Sequence, residues 1–436
     1  MTPDTFPTAL APANDPEAMG PLRSGADPLD ERAAVDPALF EPPEGETPFA
    51  RTVLTTSLHI AIATESRVNR WTRWNGFTVA SVLTDLDDEY RALRGAAALA
   101  DISPLAKYRI AGRDARVYLD RLVTRDIAGL AVDRVLHVMF CEENGLVLGD
   151  GLLFRLGDEE YRLVTEETHL AWLMDSAIGL RVRVEDVGDT LAAMSLQGPL
   201  AAFCLSEAGL SGIDALPPMA ARWTSLAGMP VYVSRTGTSG DLGYELWADP
   251  EDAPHVWYYL LQTGGRFGLR ATGTTLRELA RLEAGLPRAG RDWLGAFAAI
   301  DPAHARTPFE LDAGWQVAFD KPFFNGRAAL MRLAVDAPPR RLVRLAVDGL
   351  VPARFAAIMA NGRQVGIATT TGFSPARGHN IALATLDAAS LAAPLTVDAE
   401  ICEELAVRRV SLPARVVGEP FWAPARRAAV PAPLTA

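Results

Sequence analysis

The stretch that most constrains this chain is VYVSRTGTSGDLGYELW, from Val231 to Trp247. The residues before Thr236 alternate toward a strand, Gly237, Ser239, Gly240 and Gly243 punctuate a tight turn, and Tyr244 to Trp247 resume extended chain. Glu245 therefore sits just inside a strand among apolar and aromatic neighbours. A carboxylate there loses solvation unless a hydrogen-bonding partner compensates, and a flat heterocycle presenting an N–H and an amino group is such a partner. The ordinary alternative is an edge-strand glutamate facing water, and taken alone the segment favours that alternative.

At 436 residues, with 49% hydrophobic and 22% charged side chains, the chain is long enough for two or three domains with a sizeable core. A formal charge of -12 with no Lys/Arg block argues against a nucleic-acid or anionic-membrane partner. Cys141, Cys204 and Cys402 are far apart and lack C-x-x-C spacing, so neither a disulfide framework nor a zinc site is suggested and a cytoplasmic location fits. No apolar run approaches a membrane span, and the N-terminus is acidic and proline-rich where a signal peptide is basic and then apolar. Phosphate-loop, dinucleotide, H-E-x-x-H and G-x-S-x-G motifs are absent.

Residues 1–47 carry Pro, Ala, Asp and Glu with little aliphatic periodicity and read as a disordered tail. Residues 48–336 form a mixed region. Trp71, Trp74 and Phe77 are its first apolar anchors, and Asp85 to Ala100 has helical spacing with an acidic first turn. Strand–helix and antiparallel units follow, with Val135–Phe140, Val147–Arg155 and Tyr161–Val164 as strands. Thr274 to Ala284 reads as a helix with Arg277 and Arg281 on one face, or plainly as a solvated Arg/Glu-laced helix. After Pro338-Pro339, regular short strands and an Asn361-Gly362 turn predict a small antiparallel barrel over 340–425.

Seven fragments in order carry a resemblance: DISP at Asp101, ENGLVLGDGL at Glu143, LQGP at Leu196, TGTSGDLGYE at Thr236, RLEAGL at Arg281, W-x-V-x-F-x-K with FNGRAAL from Trp315, and GFSPARG-x-x-IALA from Gly372. Together they resemble the glycine-cleavage T-protein family, the tetrahydrofolate-dependent aminomethyltransferases and their demethylase relatives. The resemblance implies an α+β fold, a three-part clover-leaf ring of antiparallel-sheet and helix subdomains around a central folate cavity, closed by a C-terminal β-barrel. It implies that Glu245 hydrogen-bonds the pterin, with Tyr244 beside it, Arg277 near the folate glutamyl tail and Trp315 lining the cavity. This reverses the reading of Glu245 from its segment alone.

The chain departs from the family pattern around the donor. A family pair of aspartates reads Gly149-Asp150, and the family's first aspartate is the one placed beside the reacting amine. His137 and Thr238 stand at two family tyrosines, Pro104 and Leu105 replace His-Met, and Glu166 stands at a family asparagine. Leu105 and Thr238 thereby join the expected cofactor-binding set. The expected activity is a tetrahydrofolate-dependent one-carbon transfer, a demethylation from a small methylated amine, methoxy or sulfonium donor, with methyl- or methylene-tetrahydrofolate as product. Asp150 or His137 would move the protons, and Glu166 would attract a cationic donor or else be a charged turn residue. The alternatives are glycine-cleavage aminomethyl transfer with a lipoyl carrier protein as partner, a non-catalytic folate-binding protein, and the folate half of a flavin-dependent oxidising enzyme. The stretch before Pro48 is too short for a flavoprotein, so a separate flavoprotein subunit would be that last partner.

Overall fold

The computed structural model describes residues 54–429 apart from 302–303 and 404–405. The tail expected at 1–47 lies outside the described residues. Helix α1 (His59–Glu65) leads into a hairpin of β1 (Arg70–Trp74) and β2 (Phe77–Val82). Asn75 and Gly76 both adopt the left-handed conformation, at φ 47 and 84, which matches the turn to the twist of the paired strands. Helix α2 (Leu86–Gly95) is capped by the Asp85 carboxylate, which accepts from the Asp87 and Asp88 amides at 2.9 and 3.3 Å. The sequence reading carried this helix to Ala100. Instead Ala96 leaves helical conformation and Ala97–Asp101 forms β3, hydrogen-bonded between two other strands. Pairing inside a sheet outweighs the helix propensity of the alanine run.

Strands β4 (Ala106–Ala111), β5 (Val135–Cys141), β6 (Val147–Arg155), β7 (Glu160–Thr165) and β8 (Arg183–Asp186) make a five-stranded sheet in the order β5-β6-β7-β4-β8. Helices α3 (Ala115–Leu122) and α4 (Leu170–Asp175) cover its rear face, burying Tyr118, Leu122 and Leu173 against Ile110, Phe140 and Leu163. Next come β9 (Ala192–Gln197), α5 (Ala201–Glu207), β10 (Ala221–Leu226), β11 (Met229–Ser234), β12 (Gly243–Ala248), α6 (Ala253–Gly264) and β13 (Leu269–Ala271). A six-stranded sheet runs β10-β11-β12-β9-β3-β13, so β3 reaches across the inserted five-stranded sheet to join it. Its outer face packs Leu196, Tyr244 and Leu246 under α5 and α6. Its inner face sets Ala193, Tyr232 and Trp247 against Val135, Phe154 and Val164 of the five-stranded sheet. The front faces of the two sheets thus meet.

Helix α7 (Thr274–Glu283) buries Leu276 and Ala280 against α2 and Ala98, and α8 (Arg327–Leu333) precedes the last region. There β14 (Arg340–Val347), β15 (Arg354–Ala360), β16 (Arg363–Ser374), β17 (His379–Asp387), β18 (Leu395–Glu403) and β19 (Ala406–Val417) close into a six-stranded barrel. Asn361 and Gly362 form its β15–β16 turn, both left-handed at φ 51 and 76. No described helix is long and apolar enough to cross a membrane.

Candidate functional site

Glu245 lies on β12, an interior strand, between Ser234 of β11 and Ser195 of β9. It is 6% exposed, which overturns the water-facing edge alternative. The Thr236 hydroxyl donates to Glu245 Oε2 at 2.6 Å and meets the Ser234 hydroxyl at 2.7 Å. Burial raises the Glu245 pKa, opposed by the Thr236 hydrogen bond and the Arg277 charge and reinforced by Glu166. Strand alternation turns the neighbouring Tyr244 to the other face, where its hydroxyl donates to the Ile213 carbonyl at 3.2 Å inside the α5/α6 core. Tyr244 therefore supports the strand from behind and does not share Glu245's face.

Small residues open space around Ser195, the β9 partner of Glu245. A cavity of about 30 Å³ lies between the inner sheet face and α7, lined by Ala98, Ala100, Ser195, Gln197, Thr238 and Arg277 among others. A second, about 10 Å³, shares Ala100, Thr272 and Arg277 and adds Asp101 and Thr274. These volumes suit single waters, so seating a bicyclic ring here requires side chains to move.

Arg277 is the hub of this space. Its guanidinium donates to Glu166 Oε1 and Oε2 at 2.8 and 3.2 Å and lies 4.5 Å from the centre of the Trp74 ring. Glu166 is also 3.8 Å from Arg288, which itself pairs with Glu278 at 2.5 Å. The negative charge expected to attract a cationic donor is thus already balanced by two arginines. Asn75, at the hairpin tip, donates to the Pro104 and Glu166 carbonyls at 2.9 and 2.7 Å and pins the β1–β2 hairpin over the pair. Leu105 packs with Trp74 at the inter-sheet core. The solvated-helix alternative for α7 fails at Arg281, which is buried and donates to Asp292 at 2.7 Å and Glu278 at 2.9 Å.

His137 and Asp150 stand together on the front face of the five-stranded sheet, with Nε2 and Oδ2 2.9 Å apart. They are diagonal neighbours, since His137 is opposite Leu152 and Asp150 is opposite Met139. Arg125 donates to the His137 carbonyl at 3.1 Å and lies 5.0 Å from the Trp315 ring centre. Trp315 is 68% exposed, an open wall and not an enclosed lining. Asp150 also acts on Glu167, whose pKa is raised by burial and then by the charges of Asp150 and Glu166, with Arg288 opposing.

The family description of the GCVT N-terminal domain matches residues 55–321, and that of the glycine cleavage T-protein C-terminal barrel domain matches 340–422. The chain belongs to the glycine cleavage T-protein family. An aminomethyltransferase of Saccharopolyspora erythraea is 32% identical to it over 343 residues, covering 77% of this chain and 89% of that protein. One of Bacillus subtilis is 29% identical over 356 residues, covering 80% and 94%. The crystal structure of glycine cleavage system aminomethyltransferase T from Bartonella henselae shares the fold, with a TM-score of 0.74 at 24% identity over 85% of this chain and 99% of that one.

Within this T-protein fold, the Gly149-Asp150 departure has a definite geometry. Gly149 faces rearward, opposite Phe140, and a Cβ there would stand 2.5 Å from His169 Nε2 and 2.6 Å from the Phe140 ring. The imidazole and phenyl groups occupy the room that an aspartate side chain would need. Asp150 is the member of the pair that faces His137. A missing carboxylate at 149 therefore takes nothing from the His137 side. Sequence reasoning missed Asn75, Glu278 and Arg288 and read Trp74 only as a core anchor. The Trp-Asn-Gly-Phe turn was a visible signal for a hairpin, but nothing in it names Arg277 or Glu166 as what it covers.

Proposed function

We propose that this T-protein family member is an enzyme that transfers a one-carbon group to tetrahydrofolate, and that the group is aminomethyl, delivered on a lipoyl carrier protein. The name aminomethyltransferase, carried by relatives that the chain matches over about nine-tenths of their length, supports aminomethyl transfer above the demethylation expected from the donor-side differences. The observation that carries the reading is Asp150, held at 2.9 Å from His137 on the face that looks toward the Glu245 sheet.

The residues fit a reduced pterin in one respect that the structure supplies. Glu245 Oε2 takes the Thr236 hydroxyl, and no described residue donates to Oε1, which leaves that oxygen able to accept from ring N–H and amino groups. Tetrahydrofolate, as cosubstrate, supplies the nucleophilic nitrogen. Glu245 orients the ring, and the covering hairpin with Trp74 keeps water from the reacting carbon. As the folate nitrogens bond to the donor carbon, its C–N and C–S bonds break. Asp150 accepts the protons that the nitrogens lose, and His137, which holds Asp150 in place and relays protons at Nε2, helps return them to the departing ammonia and lipoyl sulfur.

A second reading, methyl transfer from a small methylated amine, methoxy or sulfonium donor, is supported by His137, an imidazole where the family pattern has a tyrosine. One assay separates the two. The enzyme is incubated with tetrahydrofolate and either aminomethylated carrier or a panel of methylated donors. Methylene-tetrahydrofolate with ammonia supports the first, and methyl-tetrahydrofolate supports the second.

A further inference from the structure

The turn that joins β11 to β12 is held by a segment far away in sequence. Asp241, fully buried at the turn, accepts from Arg426 Nε and Nη2 at 2.6 and 2.7 Å and from the Trp422 indole N–H at 2.9 Å. The fork-on-fork geometry is the strong, direction-fixing form of a carboxylate–guanidinium pair. Arg235, at the foot of β11, donates to the carbonyls of Arg426 and Arg427 at 3.4 and 3.3 Å, and also to that of Ala429. The Trp422 carbonyl lies 2.7 Å from where a Cβ at Gly240 would stand, so only glycine allows the segment this close. Arg94 of α2 completes the clamp, 4.5 Å from the Trp422 ring centre and donating to the Ser239 carbonyl at 3.0 Å.

The braced turn has two consequences for the site. Thr236, which donates to Glu245, begins it, and Thr238 and Ser239, which line the larger cavity, form its bend. Arg426 lies past residue 422, where the match to the barrel domain of the family ends.

We infer that residues 421–429 are a strap whose Asp241–Arg426 contact positions the β11–β12 turn, and through it the Thr236–Glu245 pair, for folate. Asp241 and Arg426 are positioning residues, and their effect on ligand rests on the proposed folate reading. The strap makes the last residues of the chain part of the site's support although none of them touches the cavity.

The test is Arg426→Ala in the full-length protein, with Arg426→Gln as a milder variant that keeps the stem's packing and Arg426→Lys as a conservative one. Hydrogen exchange is read at the Asp241 and Leu242 amides, which are bonded to Ser239 Oγ and Asp241 Oδ1. The expected results are faster exchange there with barrel amides unchanged, a rise of about tenfold or more in the tetrahydrofolate Kd, and partial recovery with lysine, which cannot form the fork. Unchanged exchange in both the Ala and Gln variants overturns the strap. Faster exchange with unchanged folate affinity overturns its positioning role. A wild-type protein that binds no tetrahydrofolate defeats the folate reading and with it the positioning role, while the exchange data alone still decide whether the strap braces the turn.

Discussion

His137 Nε2 lies 2.9 Å from Asp150 Oδ2 on adjacent strands, an imidazole–carboxylate hydrogen bond. If the two work as a unit in proton transfer, Asp150→Asn lowers kcat by about 10²- to 10⁴-fold. His137→Phe lowers it by less, and the double variant is no slower than Asp150→Asn alone, because residues in one unit are not additive. Steady-state kinetics on the four proteins of the cycle check this, and additive losses would separate the two roles.

The neighbouring Gly149 gives the opposite expectation. Restoring a carboxylate with Gly149→Asp drives it into His169 and Phe140, so it destabilises the protein by about 1 to 3 kcal/mol, as overpacking does. Thermal unfolding reads the loss. Activity per folded molecule does not rise, since the new side chain lies behind the sheet.

How much of this was legible in the sequence follows from how local each feature is. The Gly-punctuated turn before Tyr244 and the Asn361-Gly362 turn are written in consecutive residues, so the strand that carries Glu245 and the barrel could be read directly, whereas the burial of Glu245 could not, because its own segment favours a water-facing edge. The facing of Gly149 and Asp150 could not. A register shift between Phe140 and Cys141 breaks the alternation along β6, and nothing in the residues marks it. Strand β3 was hidden by an alanine-rich run whose helix propensity is real but overruled by its two strand neighbours. The Glu166–Arg277 contact joins residues 111 positions apart, so charge type suggested a free anion where the fold supplies two cations.

That ion pair makes its own prediction. Glu166→Gln removes the charge that holds Arg277 and Arg288, at a cost of about 1 to 3 kcal/mol in stability measured by urea unfolding. The ratio of rates with cationic and neutral donors stays the same, because the carboxylate is already neutralised. A selective loss of cationic donors would restore Glu166 as a donor-binding residue.

His169 sets a pH dependence. Burial pushes its imidazole down to about 4 from 6.5, with the Asp150 charge opposing, and its Nε2 has no hydrogen-bond partner. The unfolded chain takes up a proton near 6.5 and the folded protein does not until about 4, so this contribution to stability is complete above pH 6.5 and is lost as pH falls toward 4. Between pH 7 and pH 5 the wild type should lose up to about 2 kcal/mol more than His169→Phe, measured by urea unfolding at both pH values.

Calorimetric titration of tetrahydrofolate into the wild type and Glu245→Gln tests most directly whether the buried acid on β12 holds the pterin. The wild type should bind, and the variant should bind more weakly by about 1.5 to 3 kcal/mol. Equal affinity in the two proteins, or no heat from either, would contradict a folate site at Glu245.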